Sequence, residues 1–266
     1  MNGEASVGIE LILLAILPVV VILFFIYKKD KNKEPLGLLL SLFLSGFMSC
    51  GLVLLLSDLL GYIFPFMDPE VYKNSFLAVL LYSFIGVALV EELCKWVMVY
   101  LFGYAHNREF DELFDGIVYA IFVSLGFAFV ENILYVINTA KLSTALIRAV
   151  SAVPSHACDA IFMGYYLGIA KHFHVKGNKK AEKKYLMYSI FIPALLHGIY
   201  DFCLMSQYEV LIISFIGFVV FLYTISIKKM LLLSKNNKKI VFKNKFCKSC
   251  GRPVTNEICS CGRRQV

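Results

Sequence analysis

The chain has 266 residues, 59% of them hydrophobic and only 17% charged, with a formal net charge of +7. That apolar content exceeds what a soluble domain carries, so a soluble enzyme and a disordered chain are both excluded, and a polytopic membrane protein is expected. The positive charge does not point to nucleic acid, because the lysines gather in blocks beside apolar runs, where they act as topology signals.

Seven apolar runs are long enough to cross a bilayer as helices, which takes ~17–25 residues each. They lie at about 8–27, 36–63, 76–102, 113–138, 145–170, 185–205 and 210–232. The expected fold class is an all-α polytopic membrane protein of about seven transmembrane helices, with a small C-terminal module. Run one opens with Glu4 and Glu10 nearby where a cleavable signal would carry basic residues, so no signal peptide is expected. Lysine blocks follow run one (Lys28, Lys29, Lys31, Lys33), run five (Lys171, Lys176, Lys179, Lys180, Lys183, Lys184) and run seven (Lys228, Lys229, Lys235, Lys238, Lys239). If all seven runs span, the three blocks share one side. The positive-inside rule makes that side the cytoplasm, with the N-terminus outside and the C-terminal tail inside.

Four runs carry ionisable groups at depths where they are expensive. Run three holds Glu91, Glu92 and Lys95, and insertion scales put each central charge at roughly 2.5–3.5 kcal/mol. Run four holds Glu131 beside Asn132, four residues after Phe127. Run five holds His156 and Asp159, and run six His197 and Asp201. Spacings of three and four put each set on one helix face. Counting about 1.5 Å per residue from the run ends places Glu91 and Glu92 near mid-membrane and the others toward the outer half.

That constellation suits water activation. A buried carboxylate can act as general base, and two histidines with carboxylates can bind a metal or donate to a tetrahedral oxyanion. Other signatures of membrane proteolysis are missing: there is no His-Glu-x-x-His, no Gly-x-Gly-Asp and no Gly-x-Ser-Gly with a partnered histidine. The blander readings are a structural salt bridge in which Lys95 neutralises only one glutamate, helix packing through Glu131, a solvated Asp201, and an Asp159 that merely orients His156. Pro154 and Pro193, close before the two histidines, would kink their helices. Asp58 and Asp115 read as interfacial, Arg148 as an outer-end snorkelling residue, His172 and His174 as solvated, and Cys50, Cys94, Cys158 and Cys203 as small apolar filler.

Taken in order, Glu91-Glu92-x-x-Lys95, Phe127-x-x-x-Glu131, His156 and His197-x-x-x-Asp201 resemble the PrsW family of bacterial intramembrane proteases, distant relatives of the CAAX-processing endopeptidases. The resemblance covers about residues 8–232. It implies a membrane-embedded peptidase of the bacterial cell membrane. Such a peptidase cuts a single-span anti-sigma factor on its extracytoplasmic side, the site-1 step of a stress response. It implies that Glu91 or Glu92 activates water, that His156 and His197 bind a catalytic metal or steady the oxyanion, and that Glu131 and Asp201 complete the set. The CAAX relatives carry arginine at the position of Lys95 and histidine at that of Glu131, a departure that bears on any metal role for Glu131. The competing readings are a proton- or cation-coupled transporter using the same Glu/His/Asp cluster, and a catalytically inactive scaffold or sensor. Against a transporter, no internal repeat and no paired broken helices are visible.

The C-terminus is a separate matter. Cys247 and Cys250, then Cys259 and Cys261, each pair followed by glycine, suit a structural zinc in a small zinc-ribbon-like module. In a reducing cytosol, disulfides are the weaker reading. The expected organisation is a helical protease domain over 1–232, a basic linker over 233–245 and the zinc-ribbon-like module over 246–266.

Overall fold

The structure is a computed structural model that describes residues 8–105, 109–240, 245–246 and 253–254. Among them, α1 (Ile9–Lys29) and α2 (Leu36–Ile63) come first, followed by a short 3-10 turn and α3 (Pro69–Tyr72). The next span, Phe76–Tyr104, is one composite helix. It runs through α4 (Phe76–Leu81), a π-helical stretch (Tyr82–Leu89), α5 (Val90–Val99) and a second π-helical stretch (Tyr100–Tyr104). Then come α6 (Asp115–Thr139), α7 (Leu142–Val150), α8 (Ala152–Val175), α9 (Lys179–Met205) and α10 (Glu209–Lys235). Two short strands, β1 (Lys245–Phe246) and β2 (Pro253–Val254), pair antiparallel. The chain is an all-α polytopic membrane protein.

Local chemistry sets the helix starts. Ser75 accepts from the Ala78 N–H at the head of α4, and Asn178 accepts from the Ala181 N–H at the head of α9. The second cap explains why α9 begins at Lys179, six residues ahead of the apolar run: the lysine-rich turns are helical and precede the apolar part. Pro154 does not kink a helix. It sits in the first turn of α8, where the missing N–H has no intrahelical partner to lose.

Among the described residues, six helices are long and apolar enough to cross a membrane: α1, α2, the composite helix, α6, α9 and α10. The fifth expected run, 145–170, is divided at Ser151 into α7 and α8. At 24 residues α8 has the length of a span. It carries His156, Asp159, Lys171, His172 and His174, and most of it is buried among its neighbours. A helix enclosed by other helices does not need an apolar surface all round.

Glycines let the central helices approach at backbone distance. A Cβ added at Gly164 of α8 would lie 2.2 Å from the carbonyl oxygen of Gly116 in α6, and one at Gly126 of α6 would lie 2.0 Å from that of Phe43 in α2. Small residues at such crossings bring membrane helices into van der Waals contact. Around them, Ile117, Ile121, Leu125, Met163 and Leu167 fill the core. The apolar side chains of α1 and α10, such as Leu13, Phe24, Ile213 and Val220, point outward, as a lipid surface requires.

At the end of the bundle holding the 30–35 loop, Asp115 is buried rather than interfacial. Its Oδ2 accepts from the Asp111 and Glu112 N–H groups at 3.0 and 2.7 Å and so shapes the turn into α6. The segment after α10 docks on that turn. Leu113 N–H donates to the Lys238 carbonyl at 3.2 Å, and Phe114 N–H donates to Asn237 Oδ1 at 3.1 Å. Of the expected linker, residues 233–235 therefore complete α10, and 236–240 lie against the helical domain. Cys247, Cys250, Cys259 and Cys261 lie outside the described residues.

Candidate active site

The site is built on α5. In a helix, residues four and three positions before a lysine both face it, so Lys95 reaches Glu91 and Glu92 together. Its Nζ donates to Glu91 Oε2 at 3.1 Å and to Glu92 Oε1 at 2.8 Å. Lys95 thus contacts both glutamates, while its single positive charge still balances only one of the two. Lys95 is 0% exposed, and its ammonium also lies 4.1 Å from the ring centre of Phe127 on α6. Trp96, the next residue, anchors the helix by donating from Nε1 to Ser189 Oγ of α9 at 2.8 Å.

Two histidines join from α8 and α9. His156 Nδ1 lies 3.2 Å from Lys95 Nζ, and its Nε2 lies 3.0 Å from Glu131 Oε2. An ammonium can only donate and an ionised carboxylate can only accept. The partners therefore assign His156 as the neutral Nε2–H tautomer. Both ring nitrogens are taken, so neighbouring Asp159 is not the group that fixes the ring. Asp159 is buried nearby, with Oδ1 lacking a hydrogen-bond partner. His197 Nδ1 donates to Glu92 Oε1 at 2.9 Å. Its Nε2 lies 3.3 Å from Asp201 Oδ2 and 3.9 Å from Glu91 Oε2. The His156 and His197 rings meet edge to face at 5.4 Å. Asp201 is buried, not solvated.

Arg148 was not expected here. It stands on α7, donates from Nη2 to Glu131 Oε2 at 2.6 Å and from Nε to Asn132 Oδ1 at 2.7 Å, and lies over the Tyr135 ring at 4.0 Å. It does not snorkel: only 14% of its side chain is exposed. Asn132 in turn donates to the Ala15 carbonyl of α1 at 2.8 Å. The break between α7 and α8 hides this arrangement from the sequence, because an arginine eight residues before His156 reads as the outer end of the same helix. The one sequence signal is Asn132 beside Glu131, two polar neighbours awaiting a forked donor.

Two cavities flank these groups. One of about 290 Å³ is bounded by Cys50, Val53, Met67, Gly86 and Leu134, among others, and the second, of about 230 Å³, by Arg148, His156, Asp159, His197 and Asp201. Glu91, Glu131, Val87, Tyr135 and Met205 line both. Glu91 is therefore the carboxylate of the pair that meets open space on two sides. Glu92, fully buried, does not line either.

Glu91, Glu92, His156 and His197 each offer a ligand atom within 4.8 Å of the others. Two imidazoles and two carboxylates are a donor set for a divalent transition metal. Buried Glu92 Oε2 lacks a hydrogen-bond partner and is a further oxygen a cation could use, and Asp201 Oδ2, 3.3 Å from His197 Nε2, is another nearby. The residues present fit such an ion in composition. Lys95 already stands at hydrogen-bonding distance from three of the four, so an ion would share these ligands with an ammonium.

The chain's likeness to known proteins agrees with this site. A family model described as PrsW family intramembrane metalloprotease matches residues 34–226. The chain belongs to that family. It is 35% identical over 240 residues to Protease PrsW of Clostridioides difficile (strain 630), covering 89% of this chain and 96% of that protein. Protease PrsW of Oceanobacillus iheyensis is 41% identical over 190 residues, covering 71% and 80%. Protease PrsW of Bacillus subtilis (strain 168) is 35% identical over 215 residues, covering 80% and 91%. No solved structure matches the chain. Membership of the PrsW family makes the chain a membrane-embedded peptidase and sets the transporter reading aside. All the residues of the family-like motifs, from Glu91 to Asp201, fall within the matched region.

Proposed function

We propose that the chain hydrolyses a peptide bond in a single-span membrane protein, with Glu91 as the base that activates water. The observation that carries this reading is the pairing of Glu91 with both cavities while Glu92 is enclosed by Lys95 and His197. Only Oε2 of Glu91 is engaged by Lys95, at 3.1 Å, which leaves the other oxygen for water. Water gives a proton to Glu91 as its oxygen bonds to the scissile carbonyl carbon. The resulting tetrahedral oxygen carries negative charge, and the Nε2–H of His197 in its imidazolium form is the donor placed to meet it. Glu92 holds that ring by accepting from Nδ1. Collapse of the intermediate breaks the C–N bond, and the proton held by Glu91 passes to the leaving amine. Glu131 and Asp201 act through His156 and His197, and Lys95 keeps the two glutamates in place. A divalent ion, if bound, would be held by Glu91, Glu92, His156 and His197 and would supply Lewis-acid polarisation of the carbonyl.

By the lysine blocks, the N-terminus lies outside the cell and the tail in the cytoplasm, which puts the site toward the outer half of the bilayer. A site-1 cut in an anti-sigma factor on its extracytoplasmic side fits that depth. In the same reading residues 1–232 form the protease domain, and 246–266 form a zinc-binding module through Cys247, Cys250, Cys259 and Cys261. The test is to co-express a tagged single-span anti-sigma factor with the wild type, Glu91→Gln, Glu92→Gln and His197→Ala. A cut near the outer face is expected from the wild type. It should be lost with Glu91→Gln and His197→Ala at unchanged protein level. Full cleavage by all three variants would refute the assignment.

A further inference from the structure

We infer that Arg148 is a positioning residue of this hydrolysis: its guanidinium holds Glu131 in place as an acceptor and so keeps His156 in the tautomer that faces Lys95. The inference rests on the proposed active site, and its first readout does not depend on cleavage. The chain of contacts is continuous. Arg148 Nη2 meets Glu131 Oε2 at 2.6 Å, the same oxygen meets His156 Nε2 at 3.0 Å, and His156 Nδ1 meets Lys95 Nζ at 3.2 Å. Lys95 then holds Glu91 and Glu92.

Glu131 has no other cationic partner at ion-pair distance among the described residues, apart from the His156 ring itself. Without Arg148 a largely buried carboxylate would be free to turn toward another donor, and His156 would lose the acceptor that selects its Nε2–H form. A lysine would not serve in the same way. Nε and Nη2 address two different residues, Asn132 and Glu131, through the fixed fork of a planar guanidinium. Besides Arg148, α7 brings only Ile147 to the lining of the 230 Å³ cavity. Its Leu146, Ile147 and Val150 are exposed apolar side chains, while Ala145 packs with Ala15 of α1 and Val136 of α6. Holding α7 against those two helices sets the depth at which the guanidinium enters.

The first readout is the nitrogen NMR spectrum of histidine-labelled full-length protein in micelles, with His156→Asn to assign the signal. The wild type should show one protonated and one unprotonated ring nitrogen at His156. Arg148→Ala should show tautomer-averaged nitrogens, and added methylguanidinium, which the 230 Å³ cavity can admit, should restore the separate signals. The second readout is cleavage of the tagged single-span anti-sigma factor. Arg148→Ala should lower kcat by about 10–100-fold, the usual loss when a group that orients an active-site histidine is removed, with KM unchanged and partial rescue by methylguanidinium. Arg148→Ala combined with Glu131→Gln should be no worse than the worse single variant. If Arg148→Ala does not accumulate, Arg148→Lys carries both measurements, with partial averaging and an intermediate kcat expected. An unchanged His156 signal in the Arg148 variant, or losses that add with Glu131→Gln, would overturn the inference. If the wild type cuts no substrate, the proposed function fails while the tautomer measurement still decides on Arg148.

Discussion

Replacing Lys95 by methionine isolates the charge that the rest of the site depends on. Methionine matches the unbranched stem of lysine and leaves the packing against Phe127 nearly intact, so the change removes the ammonium alone. The loss can be worked from what that ammonium touches. It donates to Glu91 at 3.1 Å and Glu92 at 2.8 Å, and it lies 4.1 Å from the Phe127 ring centre. These partners and His156, whose Nδ1 lies 3.2 Å from Nζ, are all buried, so bulk water does not fully replace the bonds even though Glu91 also meets the two cavities. Removing one partner of a buried ion pair typically costs 3–5 kcal/mol, because the other charge is left uncompensated. Here two adjacent carboxylates are left, which argues for the upper part of that range. At about 1.4 kcal/mol per tenfold, the folded-to-unfolded ratio should fall by more than a hundredfold. The assay is reversible unfolding of purified protein in mixed micelles, with Lys184→Met as control, since Lys184 is exposed and lies over the exposed Tyr188 ring near a helix start. The control should shift by less than about 0.5 kcal/mol, as surface substitutions usually do. Restoring balance with Glu92→Gln in the Lys95→Met background should recover part of the loss. A shift below about 1 kcal/mol for Lys95→Met, the range of an exposed pair, would refute the view that one ammonium holds both glutamates.

Two further outcomes test the frame around the site. Gly164→Ala should destabilise the protein by about 1–3 kcal/mol, the usual cost of overpacking, because the new Cβ would lie 2.2 Å from the Gly116 carbonyl oxygen and only a backbone shift relieves it; the same unfolding assay reads it. Glu34, in the loop after α1, is pushed up from 4.5 to about 7 by burial and by nearby Asp30, Glu109 and Asp111, against the lowering effect of its bond from Tyr119. Its folded form holds the proton more tightly than the unfolded chain. Its contribution is therefore complete below about pH 4.5 and is lost as pH rises toward 7. Glu34→Gln should flatten stability over that window, and an unchanged pH slope would refute it.

Much of this arrangement is legible in the sequence, for physical reasons that differ by residue. Charges in an apolar run are costly enough to stand out singly, which is why Glu91, Glu92, Lys95, Glu131, His156, His197 and Asp201 could be named before any fold was known. Helical spacing then puts Lys95 within reach of both glutamates, although the sequence reading assigned it to one. What hydropathy cannot see is a helix shielded by other helices: α8 is polar because it is enclosed, and the apolar run that announced it was partly α7. Arg148 was misread for the same reason, since a break at Ser151 changes which way its side chain points. The docking of 236–240 on the loop before α6 was also hidden, because it is made largely by backbone groups and one asparagine that carry no pattern.

The spacing of the motif accounts for how the two glutamates would divide the work in the proposed reaction. Adjacent residues on a helix point about 100° apart, so two neighbouring carboxylates meet different surroundings even where one oxygen of each comes close to the same point. Lys95 lies three residues from one and four from the other, on the shared edge of their two faces, and draws both inward. The helix geometry then makes them unequal. Glu92 turns toward α9, where His197 takes its Oε1, and Glu91 turns toward α6 and the cavities. A single Glu-x-x-x-Lys or Glu-x-x-Lys pair would give either a base without an anchored histidine or an anchored histidine without a base. In the proposed reaction the doubled glutamate supplies both from one turn, and the fully buried lysine bonded to each offsets part of the cost of the doubling inside a membrane.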